Sequence, residues 1–125
     1  MAEDVFAERL ARVRARFAGN LPGRIDSIDR ALPNLSGDGE SVFPALSAVH
    51  RNAHEICGIA PTVGFAATGK AARCVERILL QPLRDKRGLS EAEITSVREE
   101  LAALRAAAQA DAQSHGTASR SEDCM

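Results

Sequence analysis

Between Val5 and Ala108 the apolar residues return every three or four positions, and nowhere do they alternate with polar ones over the length of a strand. That spacing belongs to α-helices buried on one side, and it confines the chain to a fold in which helices cover one another's stripes. Apolar residues make up 45% of the chain but aromatics only 3%, with no Trp and no Tyr. The core material is therefore mostly Ala, Leu, Val and Ile, which suits closely packed helices. A length of 125 residues fits one domain, large enough to hold a core without staples. The expectation is an all-α fold, an antiparallel four-helix bundle with an additional N-terminal helix.

The first stripe, Val5, Phe6, Leu10, Val13 and Phe17, marks a helix over about 4–18, with Arg9, Arg12, Arg14 and Arg16 on its solvated remainder. Gly19-Asn20 and Pro22-Gly23 interrupt it before a second stripe, Leu21, Ile25, Ile28 and Leu32, over about 21–32. The two helices stand either apart or nearly continuous through a kink. Residues 33–39 read as a loop. A third helix is expected over about 41–60, with Ser41 as N-cap and Pro44 in its first turn. Pro61 ends it, or a kinked continuation reaches Gly64. A fourth helix, about 65–81, turns Phe65, Thr68, Ala72, Val75 and Leu79 inward, and Gly69 and Ala71 allow a neighbour to approach closely. The fifth, about 90–112, opens on a capping box, Ser90-x-x-Glu93, with Leu89 and Ile94 as its hydrophobic staple. Residues 113–125 are small, polar and without pattern, so the bundle domain is expected at 1–112 with a disordered tail after it.

A net charge of −1 gives no sign of a nucleic-acid partner. No apolar run approaches the ~20 residues that span a bilayer. The N-terminal MAEDVFAERL is acidic from the start and lacks the basic and apolar regions of a signal peptide. Cys57, Cys74 and Cys124 are odd in number and unpaired in spacing, which argues against a disulfide framework. A cytoplasmic protein is expected.

The stretch from Leu46 to Phe65 carries the chemistry. On a helix, Val42, Leu46, Val49, Ala53, Ile56 and Ala60 share one stripe, and Ser47, Arg51, Glu55 and Gly58 lie opposite. His54 falls at the boundary, turned mostly to water, and His50 sits one turn earlier, nearer the apolar stripe. Gly58 sits one turn later. Helical side chains lean toward the N-terminus, so the residue at i+4 covers the one at i. A glycine covers nothing and leaves the His54 imidazole clear, at a helix cost of about 1 kcal/mol relative to alanine.

Ala53-His54-x-Ile56-x-Gly58-x-Ala60-x-x-x-Gly64, followed by Val75-Glu76, resembles the signature of histidine-containing phosphotransfer (HPt) domains, Ala-His-x-Leu-Lys-Gly-Ser-Ala-x-x-x-Gly with a later Leu-Glu. The resemblance covers roughly Val5 to Ala108. Two positions depart from it: Cys57 stands where the family usually has lysine, and Ile59 where it has serine. The resemblance implies a phosphocarrier of a two-component phosphorelay, an intermediate with no independent catalytic site. His54 would accept a phosphoryl group from the phospho-aspartate of one receiver domain and pass it to another. An imidazole with an ordinary pKa of about 6.5 is a competent nucleophile near pH 7. Phosphoryl transfer needs mainly in-line positioning and charge neutralisation. Nothing in the sequence resembles a phosphate-cradling glycine loop or an acidic metal pocket; the resemblance implies that the receiver brings both the aspartate and Mg²⁺, and no cofactor is expected here. Arg51, Cys57, Gly58, Lys70 and Arg73 are the residues expected around a phosphohistidine, with the cations standing in for the missing lysine. The partners implied are response-regulator receiver domains and a hybrid sensor histidine kinase. The protein itself is expected to be a monomer that engages no nucleic acid and no membrane.

Three other readings compete. His50, His54 and Cys57, at i, i+4 and i+7, have a spacing that metal ligands use, although no fourth ligand is evident and Cys57 turns inward of the two histidines. The dimerisation domain of a sensor histidine kinase would need an ATP-binding domain after the helices, and Pro61 lies too far from His54 for the His-Glu-x-x-x-Pro pattern of those kinases. An HPt-like scaffold would bind receivers without carrying phosphate.

Overall fold

The computed structural model describes residues 2–116. Four helices follow one another, α1 (Ala2–Ala31), α2 (Gly39–Ile59), α3 (Ala66–Asp85) and α4 (Glu91–Gly116), with 3-10 turns at Leu32–Asn34 and Ala60–Val63 and no strand among the described residues. Neighbours run antiparallel. Glu55 on α2 meets Arg24 on α1 at 3.5 Å, and Arg105 on α4 reaches Asp26 at 2.8 Å. The core is one cluster, with Ile28, Leu32, Leu46, Ala53, Ile56, Ala72, Val75, Leu79, Val97 and Leu104 fully enclosed.

The bundle is the expected one, but its additional N-terminal helix is the first half of α1. The helix runs 30 residues straight through Pro22. Phe17, Leu21, Ile25 and Ile28 continue one stripe across the interruption, and all four are buried. A proline inside a helix costs about 3 kcal/mol. Each large apolar side chain taken out of water returns about 1.5–3 kcal/mol, so four of them hold the helix together through the break.

The ends of α2 also differ from expectation. Asp38, not Ser41, is the N-cap residue, in extended conformation, and its side chain makes no capping bond. At the other end Pro61 stops the α-helical ladder, but the chain continues as a 3-10 turn, closed by Gly64 at φ 84. That left-handed value strains any residue with a Cβ. α1 and α4 both grip this turn. The Arg14 Nε–H donates to the Val63 carbonyl at 2.8 Å, and the His115 Nε2–H donates to the Gly64 carbonyl at 2.9 Å.

α3 continues beyond its expected end through the buried Pro82 to Asp85. Its N-terminus has no side-chain cap of its own. Asp111 on α4 supplies one, accepting from the Thr68 N–H at 2.8 Å and the Thr68 hydroxyl at 2.7 Å. This explains how a wholly buried threonine is satisfied. At the start of α4 the capping box forms as expected: Glu93 N–H donates to Ser90 Oγ at 3.1 Å and Ser90 N–H to the Glu93 carboxylate at 2.9 Å. Arg87 adds two bonds to the same carboxylate, at 2.8 and 3.0 Å. Arg87 is the main cause, ahead of the Ser90 amide, of a Glu93 pKa lowered to about 2.

α4 runs to Gly116, four residues past its expected end. His115 stacks on Phe65 with ring centroids 5.5 Å apart, and Phe65 in turn meets Phe17 edge-on at 5.4 Å. Residues 113–116, expected as tail, are thus helix. The rest of the expected tail, 117–125, lies outside the described residues, as does Cys124. Cys57 and Cys74 are free thiols.

Candidate functional site

The α2 stripe of Val42, Leu46, Val49, Ala53 and Ile56 is buried. With Ala53 pinned against the core, the next residue along the helix is turned to the rim, and the His54 side chain is 67% exposed. A Cβ built on Gly58 would meet nothing within 4 Å. Space, and not a neighbouring helix, lies beyond the imidazole on that side.

Across from His54 stands α3. Val75 is fully enclosed, which sets its neighbour Glu76 at the α2–α3 groove. Glu76 Oε2 lies 2.5 Å from His54 Nδ1. An ionised carboxylate only accepts hydrogen bonds, so Nδ1 carries the proton. The His54 Nε2 is left with its lone pair, on an exposed ring. His50, one turn earlier on α2, is parallel to His54 within 10°, with ring centroids 6.3 Å apart. Its Nε2 is 3.7 Å from the same Glu76 oxygen, and that nitrogen is buried without a hydrogen-bond partner.

Beyond this cluster, toward the Ala60–Val63 turn, a groove of about 470 Å³ is lined by Cys57, Lys70, Arg73, Cys74 and Arg77 over a floor that includes Gly69. Gly69 lets the turn close down on α3, for a Cβ there would lie 3.1 Å from Pro61 Cγ. The Cys57 thiol beside Arg73 raises the guanidinium pKa, with a smaller push from Glu76. The groove is thus a cationic surface next to the histidine pair.

Of the residues the sequence places around His54, Cys57, Lys70 and Arg73 come together in this groove, and Gly58 follows His54 on the open rim. Arg51 points elsewhere, into a separate groove against α1 with Asn20, Arg24, Ser27 and Asn52. Glu55, opposite the stripe, pairs with Arg24. The metal reading loses its geometry. His54 Nδ1 is committed to Glu76 and Cys57 faces the cationic groove, and among the described residues no group of three or more His, Cys, Asp or Glu is placed to hold a metal ion. Glu76 is the residue that the sequence names only as half of Val75-Glu76, with no role at the site. The signal was its place in that pair, but 22 residues separate it from His54 and no helical periodicity links them.

An exposed imidazole with Nδ1 held by a carboxylate and Nε2 open, flanked by cations, is suited to forming and breaking a bond at Nε2. Neither the curated proteins nor the solved structures give a match to this chain. The family comparison does, with the Hpt domain matching residues 12–107, a span that holds α2, α3, the His54–Glu76 pair and Gly64. The chain belongs to the Hpt domain family, whose members serve histidine phosphotransfer in two-component signalling and interact with receiver domains and histidine kinases.

Proposed function

We propose that this protein is a phosphocarrier in which His54 takes a phosphoryl group from the aspartyl phosphate of one response-regulator receiver and gives it to the aspartate of another. The observation that carries the reading is the Nδ1–H···Glu76 bond on an otherwise exposed imidazole. In the forward step the Nε2 lone pair attacks phosphorus in line, the P–O bond to the donor aspartate breaks, and the carboxylate leaves with its electron pair. The ring now bears a phosphoryl group on Nε2 and a proton on Nδ1, and its positive charge faces the Glu76 carboxylate. The reverse step on a second receiver restores the starting imidazole. Lys70 and Arg73 offer charge to the phosphoryl oxygens from the groove in which Cys57 occupies the usual lysine position. Gly58 leaves the approach open, and Arg51 meets the receiver from the α1 side. The receiver supplies the Mg²⁺, and a hybrid sensor histidine kinase charges the relay. The setting is cytoplasmic and the carrier acts as a monomer.

The test is incubation with a phosphorylated receiver, followed by mapping of the acid-labile phosphate. His54→Gln is expected to keep its helical circular dichroism and lose all label. Label that persists in this variant and vanishes in His50→Gln would move the acceptor to His50. Receiver binding by the unmodified protein with no label at all would make it a scaffold.

A further inference from the structure

Two imidazoles converge on one oxygen. Glu76 Oε2 receives the His54 Nδ1–H at 2.5 Å, and His50 Nε2 faces it from 3.7 Å. His50 lies mostly inside, and its Nε2 is closed off from water with no bonding partner. A ring nitrogen in that position is unfavourable unless it finds one. The acceptor in front of it is the Glu76 carboxylate, and a fraction of an ångström closes the gap. A carboxylate oxygen has lone pairs enough for both rings.

We propose that His50 is a positioning residue for phosphotransfer at His54: its Nε2–H and the His54 Nδ1–H share Glu76 Oε2, and this second donor holds the carboxylate in the orientation that keeps the His54 lone pair on Nε2. The inference rests on His54 being the phosphoacceptor. The i, i+4 spacing on α2 sets the two rings parallel, so both address the carboxylate from the same side. Without His50 the carboxylate is tethered by one bond only, on an exposed ring. Arg73, one turn earlier on α3, is then the competing partner and draws the carboxylate toward the groove. His54 would populate the tautomer with its proton on Nε2, in which the outward nitrogen has no lone pair with which to attack phosphorus. The same carboxylate faces the cationic ring of the phosphorylated state, so loosening it weakens both directions of transfer.

The experiment is nitrogen-15 NMR of the imidazoles in the unphosphorylated protein, beside transfer rates and melting curves for His50→Leu and His50→Gln. In the unmodified protein His50 is expected to be protonated on Nε2 and His54 on Nδ1. His50→Leu keeps bulk but removes the donor; it should shift His54 toward the Nε2–H form and slow transfer roughly ten-fold, the loss of one hydrogen bond to a charged group. His50→Gln, which retains an N–H donor at comparable reach, should restore the His54 spectrum and most of the rate. A His50 spectrum with the proton on Nδ1 and a bare Nε2 overturns the proposal whatever the variants do, including a leucine variant that fails to fold. An unchanged His54 spectrum and rate in a folded His50→Leu overturn it as well. The spectra need no phosphate, so failure here is distinct from failure of the acceptor assignment, which shows as label surviving His54→Gln.

Discussion

The α2–α3 pair and the N-terminal half of α1 are both amphipathic helix, yet only one of them is covered. Ala53, Ile56, Ala72 and Val75 are wholly enclosed between α2 and α3, whereas Val5, Phe6 and Val13 on α1 are 48%, 68% and 52% exposed. Among the described residues of α1, none before Phe17 enters the core. Every side chain of the His50–His54–Glu76 cluster belongs to the covered pair. A contact such as His54 Nδ1 to Glu76 Oε2 survives only if the two backbones that carry it hold their spacing, and that spacing is set by the enclosed residues beneath. Periodicity shows that a helix has an apolar side; only tertiary packing shows whether something lies against it.

Four measurements break or sharpen this contrast. The largest effect is expected from paired truncations, one in each region. Ile56→Ala should cost about 2–5 kcal/mol in urea unfolding, as core deletions do, and Phe6→Ala less than about 0.5 kcal/mol, as surface changes do. Similar costs would mean that the α1 stripe is covered in solution.

Next come the two helical glycines at the site. Gly69→Ala sets a methyl 3.1–3.2 Å from the Pro61 ring, a ring fixed in a tight turn; overpacking of that kind costs about 1–3 kcal/mol against up to about 1 kcal/mol returned by helix propensity, so the variant should gain nothing or lose stability. Gly58→Ala meets open space and should gain up to about 1 kcal/mol from helix propensity. If His54 is the acceptor, Gly58→Gln should leave stability intact and slow transfer. A gain at Gly58 with none at Gly69 separates a glycine needed for packing from one needed for access, and equal gains would erase that distinction.

The third measurement concerns acid. The folded Glu93 pKa is lowered to about 2 from the model-compound 4.5. A lowered carboxylate pKa stabilises the fold at pH values above 4.5, and that contribution is lost as pH falls from there toward 2. Glu93→Gln should therefore be less stable than the parent at pH 7, and the two curves should converge near pH 2. Parallel curves across that range would show that the Arg87–Glu93 pair at the α3–α4 corner adds nothing. The smallest effect is at the end of α4. Removing 114–125 takes away His115 and its stacking on Phe65, and should lower the melting temperature slightly more than removing 117–125. Equal melting temperatures would mean that the His115 contact contributes nothing.

The all-helical class, the core stripes, the capping box and the His54 rim position were legible, because each depends on residues within one or two turns of each other. What escaped depends on distant partners. The break at Gly19–Gly23 reads locally as two helices, and only the buried Leu21, Ile25 and Ile28 show why it is one. The end of α4 has no stripe to announce it, since Asp111 and His115 are held by Thr68 and Gly64, 43 and 51 residues away. The same holds inside the site. His54 is marked by its neighbours in sequence, but the use of His50 and Glu76 lies in a contact between helices.

The grip on the Gly64 turn has a consequence for the order in which the chain comes together. α2 and α3 are joined by a handful of residues, so their pairing closes a short loop and is entropically cheap and fast. Arg14 reaches this turn across 49 residues of sequence and His115 across 51. His115 leaves the ribosome long after α2 and α3 are free to pair. The latch on the turn is accordingly expected to close after the α2–α3 pairing during synthesis and to open before it on warming. Amide protons around Gly64 should then exchange ahead of those in the middle of α2, and the end of the bundle near the cationic groove would loosen while the histidine pair still holds its place.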